Sequence, residues 1–375
     1  MQFEDLEGYG YDLPPKLIRR EGIEPRDSAR LFVYDTATDT IRHDFFFNLA
    51  GHLPERSLMI LNETRVVPAR LWLRKETGGK IETFVLVNEW DGGSEIPLIV
   101  DRKCAVGQNL LFPNGDRFVV VRQEGNRFFA HLKLKQSHLV ASPLSDSLFE
   151  LLDRYGETPV PHYLEEDELL KQVQDDKVER ERKLRKRYQT IFAKTGASVA
   201  APTASLHFTD RVFESLDAKG IDIAKVTLDV GQGTFAPLRE ENFATKQLHC
   251  ERIEVSEETA RKVNEVLGSQ ASKSGRRSIV AVGTTALRTL ESVTQRSNPV
   301  TQFSGTTDLF IYPPHTFRSA DILVTNFHLP KTSLMLLVDA FLGYKGAKRR
   351  ILPLYEEAIR KSYAFYSFGD SMLIL

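Results

Sequence analysis

The chain has 375 residues, enough for roughly two domains, and its 41% hydrophobic and 27% charged residues are an ordinary balance for a globular protein. Its 50 Lys and Arg against 51 Asp and Glu give a net charge of -1, which neither demands nor excludes a nucleic-acid partner, since phosphates sense local charge. Cys104 and Cys250 alone exclude a disulfide framework and a cysteine-based zinc site, and no metal-ligand spacing is found, so no metal is expected.

Neither a signal peptide nor a membrane span is predicted. Met1 to Pro15 carries acidic residues and no apolar core. The most apolar stretch, Leu334 to Leu342, is interrupted by Asp339 and is much shorter than the ~20 residues that a membrane helix needs. We therefore expect a soluble, cytoplasmic protein, and a monomer.

The first part of the chain predicts a small antiparallel domain. Ser57 to Asn62 is a short apolar strand, and after it runs rich in Val, Phe and Ile alternate with Gly- and Asn-containing turns. These strand-like runs are Pro68 to Arg74, Lys80 to Trp90, Arg117 to Gln123 and Arg127 to Leu134. Such short strands favour an antiparallel barrel or sandwich. A helix should then begin at Ser142-Pro143 and end at Gly156.

The rest of the chain alternates strands with helices. The predicted strands are Asp222 to Val230, Ser278 to Val282, Asp308 to Tyr312 and Asp321 to Thr325, and the predicted helices begin after Ser256, after Gly283 and at Thr332. Extended structure is expected from Ala364 to Leu375. This order predicts the α/β class: a large three-layer α/β domain with a mixed sheet, residues 1–65 and 142–375, interrupted by a small inserted β-barrel domain, residues 66–141.

Two segments have both a structural and a functional interpretation. Lys177 to Arg187 is strongly basic, and could be a solvated helix face or loop, or a surface that contacts phosphates. Ala201 to Thr209 alternates polar and apolar residues, so that in a strand Thr203, Ser205, His207 and Thr209 would share one face. His207 could then take part in proton transfer, or be a hydrogen-bonded structural residue.

Four further segments place polar residues at the ends of apolar strands. They are Asn62, Thr64 and Arg65; Asp229, Gly231, Gly233 and Thr234; Thr284, Thr285 and Arg288; and Asn326, His328 and Lys331. The third also begins a helix, whose N-terminus suits an anion, although a plain capped helix with Arg288 in an ion pair would look the same. Likewise, Arg65 could belong to an interdomain hinge. Because open α/β sheets bind ligands at the carboxyl ends of their strands, the four segments together predict one binding crevice.

Several segments of the sequence resemble those of a known family. The segments NETRV at Asn62, RYQTIFA at Arg187, SVAAPTASLHFT at Ser198, DVGQGTF at Asp229, AVGTTALRTLES at Ala281, TNFHLPKTSLMLLVDAF at Thr325 and YSFGDSMLI at Tyr366 are similar to those of S-adenosylmethionine:tRNA ribosyltransferase-isomerases. The resemblance implies the fold described above. It also implies transfer of the ribosyl moiety of S-adenosylmethionine to 7-aminomethyl-7-deazaguanine at the tRNA wobble position, giving epoxyqueuosine, adenine and methionine. S-adenosylmethionine would be a consumed co-substrate, with no other cofactor.

The implied chemistry needs a base for the C5′ proton next to the sulfonium and a group that protonates or hydrogen-bonds the departing adenine. Histidine suits both tasks near neutral pH, so His207, His328 and His249 are the catalytic candidates. Thr284, Thr285 and Arg288 would hold the methionine carboxylate, and Gly231 and Gly233 would admit the nucleoside. The remaining expected substrate-binding residues are Asn62, Thr64, Arg65, Thr203, Thr209, Asp229, Thr234, Asn326 and Lys331.

The sequence departs from the family pattern at a few positions. His is common in the family where Asp229 and Lys246 stand here, Gly is usual at Ser205, and Gly-Tyr is usual at Pro314-His315. Two alternatives therefore stay open: a tRNA-binding relative without activity, and an enzyme that uses S-adenosylmethionine with another acceptor.

Overall fold

The computed structural model describes residues 1–135, 143–161, 177–231, 233, 236–269 and 277–375. The strands are β1 (Arg30–Asp35), β2 (Thr40–Phe45), β3 (Leu58–Asn62), β4 (Thr64–Val66), β5 (Arg70–Lys75), β6 (Lys80–Val85), β7 (Ile96–Val100), β8 (Asn109–Leu111), β9 (Arg117–Glu124), β10 (Arg127–Lys133), β11 (Thr195–Ser198), β12 (Asp222–Leu228), β13 (Gln247–Val255), β14 (Ile279–Val282), β15 (Phe303–Leu309), β16 (Ile322–Asn326) and β17 (Ser371–Ile374). The α-helices are α1 (Leu49–His52), α2 (Leu144–Tyr155), α3 (Lys177–Arg187), α4 (Asp210–Ala218), α5 (Glu240–Thr245), α6 (Glu257–Ser269), α7 (Gly283–Arg296), α8 (Ser333–Tyr344) and α9 (Ile351–Arg360). Short 3₁₀ helices occupy Phe3–Tyr9, Pro15–Leu17, Arg26–Ser28, Phe46–Asn48 and Thr203–His207.

A nine-stranded mixed sheet forms the centre of the molecule. Its order is β15-β13-β12-β3-β14-β16-β17-β1-β2. The four neighbours β12, β3, β14 and β16 run parallel, whereas β17 returns antiparallel to β16. The carboxyl ends of the four parallel strands therefore lie at one edge of the sheet, and the residues that precede β17 lie at the same edge. A separate short parallel pair joins β4 to β11.

Both faces of this sheet are covered by helices, as the residues of β3 illustrate. Leu58 and Ile60 pack in one apolar cluster with residues of α6, α7, α8 and α9. Met59 and Leu61 point the other way, into a cluster with residues of α1 and α4. Since successive side chains of a strand alternate between faces, a strand buried on both sides reads as the unbroken apolar run that the sequence shows at this point.

Residues 70–133 form a second, antiparallel sheet of six strands in the order β10-β7-β6-β5-β8-β9, and β10 also pairs with β9. It has its own apolar cluster, which includes Leu71, Phe118 and Leu148 of α2. The prediction of an α/β class with a large mixed sheet and a separate antiparallel sheet is confirmed. The domain bounds at residues 65–66 and 141–142 stay predictions, and residues 141 and 142 lie outside the described part of the chain.

Several predicted elements are also confirmed. The helix that ends at Gly156 is α2, and Ser256 precedes α6, where its Oγ accepts a hydrogen bond from the Thr259 backbone at 3.2 Å. The predicted strand at Asp308 to Tyr312 is wrong beyond Leu309: β15 begins earlier and pairs with β13 at the edge of the sheet, while Phe310 is buried in an apolar cluster. The sequence of β15, FSGTTDL, is mostly polar, so the apolar residues that follow it look more strand-like than the strand itself.

Ala201 to Thr209, whose polar residues would share a face in a strand, is not a strand. Residues Thr203–His207 form a 3₁₀ helix, which begins where the Ser205 backbone N–H bonds to Pro202 O at 2.9 Å. The alternating polar side chains therefore do not share one face, because a 3₁₀ helix turns every three residues.

None of the helices in the described part of the chain combines the length and the apolar composition that a membrane span needs.

Candidate functional site

A cleft opens at the carboxyl edge of the parallel strands. About 730 Å³ of space lies between its atoms, a volume that includes the open solvent at its mouth. Its lining comes from the ends of β14 and β16, the start of α7, the 3₁₀ helix at Thr203–His207 and the segment before β17. The polar residues that line it are Thr203, Thr284, Thr285, Thr325, Asn326, His328, Thr332, Tyr366 and Ser367.

The N-terminus of α7 points into this cleft. Gly283 has φ +86°, a left-handed conformation that lets the chain turn directly from β14 into the helix. Thr284 and Thr285 follow, and no side chain of the described residues caps the helix. The first N–H groups of a helix lack partners within it and carry a partial positive charge. This end of the cleft is therefore suited to a carboxylate or another anion.

Asn62 supports that helix end and does not line the cleft. Its Nδ2 donates to Leu228 O at 3.1 Å and to Thr285 Oγ1 at 3.2 Å, and its Oδ1 accepts from the backbone N–H groups of Thr64 and Leu228 at 3.1 and 3.0 Å. All of these partners belong to the protein. Asn62 therefore ties β3, β12 and α7 together.

Asn326 ends β16 and His328 follows it; because β16 pairs with β14, both residues line the cleft near the start of α7. Asn326 is 2% exposed; its Nδ2 donates to Tyr366 O at 2.9 Å, whereas its Oδ1 has no hydrogen-bond partner among the described residues. A buried amide oxygen without a donor is costly unless a ligand or water supplies one. Asn326 Oδ1 is therefore a candidate ligand contact.

His328 is held at three points. Its Nε2 is 2.8 Å from Thr325 Oγ1, its backbone N–H donates to the Tyr355 hydroxyl at 3.0 Å, and its carbonyl accepts from the Tyr11 hydroxyl. Burial lowers the pKa of the imidazole to about 3, because a charged ring would lose its hydration. His328 is therefore neutral near pH 7. One of its ring nitrogens is fixed by Thr325, and the other can face a ligand.

The two other candidate histidines do not line this cleft. His207 is buried and lines a second, smaller cavity with Arg26, Arg187 and Phe368. His249 is exposed on β13, and its ring packs against the backbone of Gly233. Of the three histidines that the sequence nominated, only His328 reaches the cleft. The alternating pattern around His207 would bring its side chain onto one face with its polar neighbours only in a strand, and the segment is a 3₁₀ helix.

Arg288 also lies away from the cleft. It is buried and forms an ion pair with Glu251 of β13, and burial lowers the pKa of its guanidinium to about 10. Glu251 Oε1 in turn accepts from the Gly231 backbone at 2.9 Å. Arg288 therefore links α7 to β13 and to the turn after β12, and this placement does not support its expected role as a carboxylate ligand.

The residues after β3 and β12 form a buried network behind the cleft wall. Thr64 Oγ1 donates to Asp229 Oδ1 at 2.7 Å, and the Ala197 backbone donates to the same oxygen at 2.9 Å. The backbone of Gly231 lies against the side chain of Asn88, which follows β6. Thr64, Asp229, Gly231 and Gly233 do not line the cleft, and Thr234 lies outside the described residues.

Three other predicted contacts have structural partners. Arg65 forms an exposed ion pair with Asp153 of α2 at 3.2 Å. Thr209 caps α4 by accepting from the Val212 backbone, and its hydroxyl donates to Asp27 at 2.6 Å. Lys331 pairs with Glu7 at 2.5 Å. The cleft thus brings together Thr203, Thr284, Thr285, Asn326 and His328, and the other predicted residues that the structure describes lie outside its lining.

Sequence reasoning missed four polar residues of the lining. Thr325 and Thr332 flank predicted residues, and Thr332 Oγ1 also caps α8. Tyr366 and Ser367 come to the cleft because β17 pairs with β16, with Ser371 opposite Asn326. The motif YSFGDS marks this segment in the sequence. No local pattern, however, indicates that the strand after it, β17, pairs with β16.

Comparisons with known proteins agree over nearly the whole chain. A family model described as queuosine biosynthesis protein matches residues 6–374. Proteins named S-adenosylmethionine:tRNA ribosyltransferase-isomerase include that of Caldanaerobacter subterraneus, 39% identical over 97% of this chain and 98% of the relative, and that of Aquifex aeolicus, 39% identical over 99% of both. The crystal structure of S-adenosylmethionine tRNA ribosyltransferase from Thermotoga maritima aligns with a TM-score of 0.52 and 30% identity, covering 98% of this chain and 99% of that one.

Proposed function

The chain belongs to the queuosine biosynthesis protein family, whose curated members are named S-adenosylmethionine:tRNA ribosyltransferase-isomerase, and on that premise we propose the reaction that it catalyses. The ribosyl moiety of S-adenosylmethionine is transferred to 7-aminomethyl-7-deazaguanine at the wobble position of tRNA and isomerised. The products are epoxyqueuosine-tRNA, adenine and methionine. S-adenosylmethionine is consumed, and the reaction uses no other cofactor.

The observation that carries the proposal is the polarity of the cleft. The uncapped N-terminus of α7, with Thr284 and Thr285, offers N–H and hydroxyl donors to the methionine carboxylate. At the end of the neighbouring strand β16, Asn326 Oδ1 offers an acceptor to an N–H group of the substrate. S-adenosylmethionine carries both kinds of group, a carboxylate on its methionine part and N–H groups on its amine and its adenine.

His328 fits the leaving-group half of the chemistry better than the base half. A base works best when its pKa lies near the working pH, and a group with a pKa of about 3 is a weak base. A neutral imidazole can still donate a hydrogen bond, provided that Thr325 bonds to Nε2 and the proton sits on Nδ1. We therefore assign His328 to hydrogen bonding with the departing adenine.

The tRNA is expected to contact the basic helix α3. Arg182 pairs with Glu179 at 2.8 Å but remains 78% exposed, and Lys183 is 66% exposed. Arg185, in contrast, is bonded to Glu181 and to the backbone carbonyl of Asp153, so it fastens α3 to the end of α2. One face of α3 is therefore structural, while the other can meet a phosphate backbone.

The two alternatives are less well supported by the placement of the unusual residues. Asp229 is buried in its bonds to Thr64 and Ala197, and Lys246 is exposed at the end of α5 in a left-handed conformation with φ +58°. Neither lines the cleft. Their departure from the family pattern therefore does not change the residues that face a ligand there.

One assay separates the three functions. The protein is incubated with S-adenosylmethionine and tRNA that carries 7-aminomethyl-7-deazaguanine, and adenine and methionine are measured by chromatography; unmodified tRNA with guanine at the wobble position is the control. Release with the aminomethyl tRNA alone supports the proposal. Binding of that tRNA without release would favour the inactive relative, and release only with another acceptor would favour the third function.

A further inference from the structure

The turn from Tyr366 to Gly369 is a thin wall between two cavities. Tyr366 and Ser367 line the main cleft, and Ser367 and Phe368 line the second cavity, which also contains His207. Ser367 and Phe368 are buried, and Phe368 packs in an apolar cluster with Tyr188 and Leu206. Apolar packing does not satisfy the backbone carbonyls of the turn, so their position depends on the hydrogen bonds that they accept.

The backbone of this turn is also strained. Tyr366 has φ +71°, a left-handed conformation that costs a residue with a side chain on the order of 1 kcal/mol. The Gly369 N–H closes the turn on Tyr366 O at 3.0 Å, and a methyl group on Gly369 would meet the Phe365 backbone at 2.5 Å. Such a conformation persists only when the surroundings enforce it.

Hydrogen bonds enforce it from both sides of the turn. On the cleft side, Asn326 Nδ2 donates to the carbonyls of Tyr366 and Ser367 at 2.9 and 3.3 Å. On the opposite side, His207 Nε2 is 2.9 Å from Gly369 O. Asp370, the next residue, accepts from Arg19 at 3.0 Å. Asp370 also accepts from the Ala364 backbone at 2.8 Å, whereas His207 is the side chain that bonds to the Gly369 carbonyl itself.

His207 is itself immobile and shielded. It is 4% exposed, its ring packs on Phe46 with centroids 5.0 Å apart, and its Nδ1 is 3.2 Å from Ala204 O. A neutral imidazole has one N–H, and the shorter contact, to Gly369 O, is the one that it satisfies. With both nitrogens against backbone carbonyls, the ring has no free nitrogen to exchange a proton with a substrate.

We propose that His207 is a positioning residue: it donates to Gly369 O and thereby holds Tyr366 and Ser367 in the cleft wall where S-adenosylmethionine binds. The proposal rests on the function proposed above. It differs from the expectation that His207 transfers a proton, for which any replacement of the imidazole would abolish turnover.

Two amide variants, which place a nitrogen near one or the other ring nitrogen of His207, test the proposal. In His207→Gln the amide nitrogen can occupy the position of Nε2 and donate to Gly369 O, whereas in His207→Asn it corresponds to Nδ1 and cannot reach that carbonyl. Neither amide can transfer a proton. The measurements are the dissociation constant of S-adenosylmethionine by calorimetry, the rate of adenine release against pH, and the melting temperature.

We expect the Gln variant to stay within a few-fold of the wild type in every measurement, with the same pH profile. We expect the Asn variant to bind S-adenosylmethionine about tenfold or more weakly, which corresponds to the loss of one buried hydrogen bond. The proposal would be overturned if the two variants behaved alike. This could be because both release adenine at the wild-type rate, or because both bind S-adenosylmethionine normally but release no adenine. A Gln variant that does not fold would also overturn it, since it keeps the bond on which the proposal relies. If the wild type binds S-adenosylmethionine but releases no adenine, the proposed reaction fails while the binding constants still test the role of His207.

Discussion

The buried ion pair between Arg288 and Glu251 should be among the most sensitive points of the fold. Their side chains are only 7% and 3% exposed. Removing one member of such a pair leaves the other charge buried without compensation, which costs about 3–5 kcal/mol. We therefore expect Arg288→Met and Glu251→Gln to lower the free energy of unfolding by about this amount each, with Glu251→Gln at the lower end because its amide oxygen can still accept from Gly231.

The double variant should recover much of the loss. With both charges gone, no buried charge is left unpaired, and the glutamine still serves the Gly231 N–H. We expect Arg288→Met with Glu251→Gln to cost less than either single variant. For 375 residues the entropy of unfolding is about 0.8 kcal/mol per degree, so a single variant should melt ~4–6 °C below the wild type.

Thermal and urea unfolding of the four proteins measure this double-mutant cycle. Arg182→Met is the matched control, because Arg182 pairs with Glu179 on the surface of α3, where solvent screens the two charges and the pair adds little to stability. The reasoning would be refuted if the single variants behaved like this control, or if their effects simply added in the double variant.

Three further predictions address the cleft and its surroundings. His328 takes up a proton near pH 6.5 in the unfolded chain but only near pH 3 in the folded protein. The free energy of unfolding should therefore fall as the pH drops from 6.5 towards 3, by about 1.4 kcal/mol per pH unit from this group. In His328→Gln the slope of unfolding free energy against pH should be flatter, and an unchanged slope would mean that His328 is protonated in the folded protein. Thr209→Ala removes the cap of α4 and the bond to Asp27, so it should cost about 1–2 kcal/mol in urea unfolding and leave the binding constant of S-adenosylmethionine unchanged; weaker binding would return Thr209 to the site. Replacing Arg182 and Lys183 by Gln should weaken tRNA binding and reduce its salt dependence, measured by filter binding over a salt series, and an unchanged slope would show that α3 does not contact the phosphates.

Local sequence patterns determined a large part of this protein. The unbroken apolar run of β3, the glycine after α2 and the serine before α6 each depend on residues that are neighbours in the chain. The same is true of the Gly283-Thr284-Thr285 junction between β14 and α7. These signals were sufficient for the α/β class and for a crevice at the strand ends, because the carboxyl ends of parallel strands meet at one edge whatever the strand order is.

Only the tertiary structure decided which polar side chains face the cleft. Arg288 follows Thr285 within one turn of α7, yet it turns away to Glu251 on another strand. His207 ends the 3₁₀ helix whose first residues line the cleft, but it bonds to Gly369. Tyr366 and Ser367 reach the cleft through the pairing of β17 with β16. These partners are far apart in the chain. A sequence pattern records the period of a helix or strand, whereas the direction in which a side chain finds its partner depends on how remote segments pack.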